Sequence, residues 1–105
     1  MAANSYFRIP IKGTGADEAL AISAGNTFTP WLKLSGAFSL SISGTWAGTV
    51  TIQRSFDGGT TPLDVQTYTA NIEDTGSEPR EDTVYRVGIK TGNYTSGTAN
   101  VRLGQ

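Results

Sequence analysis

Segments in which apolar and polar residues alternate one by one recur along this sequence. The clearest is FSLSIS at residues 38–43, where every second side chain is apolar. The same alternation returns at residues 50–54, 63–68, 84–90 and 99–103. Because successive side chains of a β-strand point to opposite faces, this period predicts short strands with one buried face.

Helix-forming residues do not cluster at helical spacing for long. The best helical candidate, ADEALAIS at residues 16–23, is barely two turns, and no helix is long enough to connect parallel strands. Turn residues separate the alternating segments, and Asp57 followed by Gly58 is typical of a tight hairpin. The sequence therefore predicts an all-β fold: a single antiparallel β-sandwich, jelly-roll or Ig-like, of about seven or eight short strands.

A chain of 105 residues is long enough for one domain. Residues 1–19 mix apolar side chains with prolines and glycines and have no sustained period, so we interpret them as an N-terminal arm and residues 20–105 as the sandwich domain. The inward positions of the strands form the predicted core: Phe38, Leu40, Ile42, Val50, Ile52, Leu63, Val65, Tyr85, Val87, Ile89, Val101 and Leu103.

The chain contains no histidine and no cysteine. A Ser-His-Asp or Cys-His nucleophile and a zinc site of the usual His/Cys type are therefore excluded, and we expect no enzymatic activity, no metal and no cofactor. Residues 71–83 hold a cluster of carboxylates, Glu73, Asp74, Glu78, Glu81 and Asp82. We interpret this segment as an exposed, solvated loop; paired-carboxylate catalysis and calcium binding are the less favoured alternatives.

Charge and hydropathy limit the partners. The net charge is −1 and the eight basic residues are scattered, which argues against binding through nucleic-acid phosphates. No apolar run approaches the roughly 20 residues that span a bilayer, and residues 1–11 do not have the pattern of a signal peptide. We expect a protein that is made and used without classical secretion and contacts neither nucleic acid nor membrane.

The loop after residue 54 matches a short pattern, Ser-x-Asp-x-Gly-x-Thr, known as the Asp box. Its members are Ser55, Asp57, Gly59 and Thr61, and Pro62 stands where an aromatic residue usually follows. In proteins that carry this pattern the aspartate resembles a hairpin brace that binds turn amides. We therefore predict a structural role for it.

Aromatic residues offer the main candidate for ligand binding. Trp46, Tyr68 and Tyr94 could present rings on which a sugar stacks through its C–H face. The competing interpretation is structural, with Trp31 in the core or under the N-terminal arm and Trp46 at one end of the sandwich.

Two segments, residues 34–59 and 82–105, resemble small β-proteins encoded in the structural regions of tailed bacteriophages and prophages. The shared features are a Ser/Leu alternation, Gly-Thr-aromatic-Gly-Thr-Val, a basic residue before Ser-Phe-Asp-Gly-Gly, an aromatic-Arg pair and Tyr-Thr-Ser-Gly-Thr. They correspond here to Ser39 to Ile42, Gly44 to Val50, Arg54 to Gly59, Tyr85-Arg86 and Tyr94 to Thr98.

The resemblance implies a virion structural protein, most simply a capsid decoration (cement) protein that binds the major capsid protein or another virion protein on the capsid surface. It also implies a homo-oligomer, with a trimer favoured. The arm is the expected contact, either with a neighbouring chain or with the capsid, although pairing within its own domain is an equal alternative. Its candidate residues are Tyr6, Phe7, Arg8, Ile9 and Ile11. The alternative function is a carbohydrate- or receptor-binding module of a phage fibre or tail.

Overall fold

A computed structural model describes residues 16–105, which form an all-β, antiparallel sandwich without helices. The described residues contain eleven strands instead of the predicted seven or eight, because several connections hold strands of only two to four residues. The strands are β1 (Asp17–Ile22), β2 (Thr27–Phe28), β3 (Leu32–Lys33), β4 (Gly36–Ser43), β5 (Trp46–Gly48), β6 (Val50–Ser55), β7 (Leu63–Tyr68), β8 (Ile72–Glu78), β9 (Val84–Ile89), β10 (Tyr94–Gly97) and β11 (Ala99–Gly104).

The strands form two main sheets and a small ribbon. The five-stranded sheet has the order β2-β9-β6-β7. Strand β3 pairs with the same edge of β9 as β2 does, but at the other end of β9. Pro30 lies between β2 and β3 and has no amide hydrogen to donate, which explains why this edge of the sheet is interrupted. The four-stranded sheet has the order β1-β11-β4-β8, and β5 pairs with β10 in the ribbon.

The following strand pairs are nested: each pair encloses the next one along the sequence, and the innermost pair is a hairpin. Strand β6 pairs with its successor β7, β4 pairs with β8, β9 pairs with β2 and β3, and β1 pairs with β11 near the end of the chain. Every one of these pairs is antiparallel. Strand β1 begins at Asp17, within the segment 1–19 that was interpreted as the arm.

Most of the predicted core is confirmed. Nine of the twelve positions are buried, and three further buried side chains, Ile22, Leu34 and Ala99, complete the core. Phe38 is only half-buried; its ring packs 4.9 Å from that of Tyr85 between centroids. Leu63 and Val65 were wrongly placed in the core, since they are 40% and 45% exposed.

The error in β7 has two causes. A bulge at Val65 lies opposite Ile52 and Gln53, so Gln66 and Tyr68 pair with the inward positions of β6. Because side chains alternate with a period of two, one extra residue exchanges the faces of the strand beyond it. Leu63 pairs with Arg54 on the other side of the bulge and keeps the face predicted for it, but it is exposed because β7 lies at the border of its sheet.

The interpretation of residues 71–83 as an exposed loop was wrong for the first half of the segment. Residues 72–78 form β8, which pairs with β4 along its length, and Glu78 is only 2% exposed. Its inward positions are Ile72, Asp74, Gly76 and Glu78, and a single apolar side chain among these four gives no apolar period. A Cβ at Gly76 would lie 2.7 Å from the Phe38 ring, so the ring of a neighbouring strand fills the place of a side chain there.

The predicted hairpin brace is confirmed in the loop after β6. The Asp57 carboxylate accepts a hydrogen bond from the Ser55 hydroxyl at 2.6 Å and from the Thr61 amide at 2.8 Å. The Ser55 oxygen in turn accepts the Gly59 amide at 2.9 Å. The hydrogen bond from Ser55, followed by those from Thr61, lowers the pKa of Asp57 from 3.8 to about 2.

We expect this brace to make stability pH-dependent. The folded state favours ionised Asp57, so its contribution is complete above the ordinary pKa of 3.8 and is lost as the pH falls towards about 2. The melting temperature of the wild type should therefore fall more steeply than that of Asp57→Asn over this range. Thermal melts at a series of pH values test this, and parallel curves for the two proteins would contradict it.

Candidate functional site

The arm residues named as partner contacts, Tyr6 to Ile11, lie outside the described residues, so their role stays a prediction. The described chain enters the fold at one edge of the four-stranded sheet, where β1 pairs only with β11. Asp17 is fixed there by two hydrogen bonds from Arg102 to one of its carboxylate oxygens, at 3.0 and 2.8 Å. The first described residues therefore lie at a sheet edge.

The three candidate ligand-face aromatics are half-buried and pack against the core. Trp46 and Tyr94 lie in the ribbon of β5 and β10, and Tyr68 is the last residue of β7. The Trp46 indole donates to the Asn71 side chain at 2.7 Å, and the Tyr94 hydroxyl donates to the Gly97 carbonyl at 3.0 Å. Their polar groups are occupied within the chain, and a sugar platform on these rings stays a prediction.

A slot opens between β7 and β8, the edge strands of the two sheets. Its volume is about 220 Å³. Its apolar lining, which includes core side chains, consists of Phe38, Leu40, Ile52 and Val65. The rest of the lining comes from the two edge strands and consists of Gln66, Tyr68, Asp74, Thr75 and Gly76. We call this opening the edge slot. Sequence reasoning missed it because β8 was not recognised as a strand.

One hydrogen bond joins the two sheets at the edge slot. The Tyr68 hydroxyl donates to Asp74 at 2.7 Å. Burial, followed by the adjacent carboxylate, raises the pKa of Tyr68 to about 12, and the same hydrogen bond lowers the pKa of Asp74. The tyrosine therefore stays a donor and the aspartate an acceptor at neutral pH.

The strand that borders the slot is exposed along its length. Five of the six residues of β7 are exposed, including Leu63 and Val65, and Ile72 at the start of β8 is 37% exposed. Among the described residues β7 pairs only with β6, so its other side has no backbone partner from residues 16–105. An apolar edge strand of this kind is a template for contact with another chain.

A second feature lies on the outer face of the five-stranded sheet. The Arg86 guanidinium lies between two aromatic rings, 4.1 Å from the centre of Phe28 and 4.5 Å from the centre of Trp31. Trp31 is thus outside the buried core, which was one of the two places given by the structural interpretation; the other, under the N-terminal arm, stays a prediction. Its ring rests on the braced loop, since a Cβ at Gly59 would lie 2.6 Å from its indole nitrogen.

A chain of hydrogen bonds extends from Arg86 across this face. Arg86 Nε donates to the Gln53 carbonyl oxygen at 2.9 Å, and the Gln53 amide donates to Asp64 at 2.8 Å. The other oxygen of Asp64 pairs with Lys90 at 2.7 Å, and that contact is the main reason why the pKa of Asp64 is lowered. The alternation of β9 had placed Arg86 and Lys90 outward, but the rings that hold Arg86 belong to β2 and to the connection between β2 and β3, and they were not foreseen.

Within residues 16–105, no three Asp or Glu side chains lie close enough together to form a metal site. This part of the chain also has no helix suited to spanning a membrane.

Comparison of the chain with protein-family models, with curated proteins and with solved structures finds no match in any of the three.

Proposed function

We propose that this protein is a non-enzymatic virion structural protein, a capsid decoration protein that binds the outer capsid surface and stabilises the shell. The observation that carries the proposal is the exposed apolar edge formed by β7 and the edge slot. Burying such an edge against another protein removes apolar surface from water and pairs open backbone groups. The resemblance of two segments to small phage structural proteins supports the choice of partner.

We further propose that the sandwich is a jelly roll. A jelly roll has eight strands in two sheets and contains two Greek keys. When β2 and β3 are taken as one interrupted strand and the ribbon of β5 and β10 is set aside, eight strands remain, four in each sheet. The nested antiparallel pairs are those of a long hairpin folded over on itself, which supports the jelly-roll over the Ig-like alternative.

Repetition over a capsid makes modest contacts sufficient. In a symmetric oligomer, proposed here as a trimer, the edges of all copies engage the shell together, and linked binding events strengthen each other without new contacts. The N-terminal arm is the proposed second contact, with Tyr6, Phe7, Arg8, Ile9 and Ile11 as its binding residues. No catalytic group is needed for this function.

The second candidate is a carbohydrate- or receptor-binding module of a phage fibre or tail. The observation that favours it is the outer face of the five-stranded sheet, where Arg86 is held between two aromatic rings beside a polar network. Fixed polar groups next to aromatic surface are typical of small-ligand sites.

Co-sedimentation with purified capsids tests the first proposal. We expect the wild type to pellet with capsids and the Val65→Lys variant to bind about tenfold more weakly, because Val65 is 45% exposed and burying that remainder contributes on the order of 1.4 kcal/mol. Deleting residues 1–12 should abolish binding while the domain still folds.

Thr60→Lys is the matched control, since it adds the same charge at another exposed position. It should bind like the wild type. Circular dichroism shows whether each variant is folded. Undiminished binding of a folded Val65→Lys protein would reject the β7 edge as the contact, and a wild type that stays in the supernatant would reject capsid decoration.

A further inference from the structure

Arg86 differs from the other arginines of the described chain in its partners. Each of the other three has a carboxylate oxygen within 4.0 Å: Arg54 with Glu78 at 3.8 Å, Arg80 with Asp82 at 3.3 Å, and Arg102 with Asp17 at 2.8 Å. Arg86 forms no ion pair with any described residue, and its one side-chain hydrogen bond there uses Nε. Neither terminal nitrogen of its guanidinium therefore has a hydrogen-bond partner among residues 16–105.

The surroundings make this open cation unusual. Burial between the rings of Phe28 and Trp31 removes water from the guanidinium and lowers its pKa. A partly desolvated charge without a counter-ion is unfavourable unless an anion is supplied from outside. The two rings and Gln53 also hold the guanidinium in one orientation, so little side-chain entropy remains to be lost on binding.

A groove of about 280 Å³ lies beside this group. Its lining combines one aromatic ring with polar and cationic side chains: Asn26, Phe28, Gln53, Arg86, Lys90 and Thr91. Asn26 has a φ of 51°, a left-handed turn conformation that asparagine adopts more readily than most other residues. The volume is close to the roughly 300 Å³ at which small-ligand sites begin.

We propose that this groove binds a carboxylate-bearing sugar, with the guanidinium of Arg86 and the ammonium of Lys90 contacting the carboxylate. A planar guanidinium matches the two oxygens of a carboxylate. Lys90 adds a second positive charge, and since Asp64 supplies one negative charge, Arg86, Lys90 and Asp64 together carry a net charge of +1. Asn26 and Thr91 supply groups that hydrogen-bond hydroxyls, and Phe28 supplies an apolar wall for the C–H surface of a sugar ring.

This inference rests on the second candidate function and does not depend on capsid attachment. It deepens that function by naming the ligand class and by placing the site on the sheet face instead of at Trp46, Tyr68 and Tyr94. A ligand in this groove would lie on the five-stranded sheet, whereas the β7 edge proposed for capsid contact is at the border of that sheet.

Titration of the full chain with glucuronate, followed by amide chemical shifts and calorimetry, tests the proposal. We expect saturable, millimolar binding with shifts centred on residues 26–28 and 86–91, and no binding of glucose at the same concentrations. Arg86→Gln should weaken binding by about tenfold or more, because it removes a charge-assisted hydrogen-bonding pair. Arg102→Gln changes the net charge equally on the opposite sheet and should bind like the wild type.

Other outcomes overturn the inference in distinguishable ways. Equal weakening by Arg86→Gln and Arg102→Gln would mean general charge attraction, and equal affinity for acetate, phosphate and glucuronate would mean an adventitious anion site. Shifts confined to the ribbon of β5 and β10 and to Tyr68 would uphold sugar binding but reject this groove. Absence of any binding would reject both sugar binding and the groove as its site. Melting curves of both variants establish that they are folded.

Discussion

Replacing Leu103 with alanine is expected to lower the free energy of unfolding by about 2–5 kcal/mol. Leu103 is fully buried on β11, a central strand of the four-stranded sheet, and pairs with Leu40 of β4. Truncation removes apolar contacts and leaves a cavity that the strands on either side can close only in part. Urea denaturation followed by fluorescence of the two tryptophans measures the change.

Leu63→Ala is the matched control for this prediction. The same atoms are removed from a side chain that is 40% exposed, so we expect a loss of about 0.5 kcal/mol. Equal losses for the two variants would contradict the burial difference between β11 and β7. They would also restore the sequence-based placement of Leu63 in the core.

The second large effect is expected at Glu78, whose side chain is 2% exposed. Its carboxylate accepts the Tyr85 hydroxyl at 2.7 Å and the Arg80 amide at 3.1 Å, and Arg54 approaches it at 3.8 Å. Glu78→Ala would leave the buried Tyr85 hydroxyl without this acceptor. We expect a loss of about 3 kcal/mol in the free energy of unfolding, since one unsatisfied buried group costs about 1–3 kcal/mol and a cavity adds to it.

Two further variants separate the causes of this loss. Glu78→Gln keeps the shape and an acceptor oxygen, so it should lose only about 1 kcal/mol. Glu73→Ala alters an exposed carboxylate of the same strand, hydrogen-bonded to Ser41, and should change stability by no more than about 1 kcal/mol. If denaturation gives the same loss for Glu78→Ala and Glu73→Ala, Glu78 does not anchor β8.

Both proposed binding surfaces depend on residues that the sequence marks only in part. The exposed edge needs β7 at the border of its sheet, and no local pattern distinguishes a border strand from a central one. The groove beside Arg86 needs Phe28, Trp31 and Arg86 together, although Arg86 is more than 50 residues from either ring along the chain. The sequence identified the residue types, and strand pairing brought them together.

The strands with the clearest alternation were predicted correctly. Residues 38–43 lie in β4, and the alternating segments at 50–54, 84–90 and 99–103 largely coincide with β6, β9 and β11. Those four are the central strands of the two sheets. A central strand has one face in the core along its whole length, so its period of two is complete.

The border strands were predicted poorly for the converse reason. In β7 the bulge shifts the register, and in β8 Asp74 and Glu78 occupy inward positions where they bind tyrosine hydroxyls, so the segment was interpreted as a loop. Residues 16–23 had looked most like a helix, yet β1 forms there because β11 offers it a pairing partner. Local propensity is overridden when a neighbouring strand supplies the contacts.

The sequence alone determined that the described chain is all-β with a braced hairpin, and that histidine or cysteine chemistry is excluded. Alternation and turn residues act over a few positions, so they can be read without knowledge of the rest of the chain. Only the tertiary structure decided which strands lie at the borders, that Glu78 is buried and that Arg86 is enclosed by two rings. Those features depend on contacts between residues distant in sequence, and such contacts have no local signature.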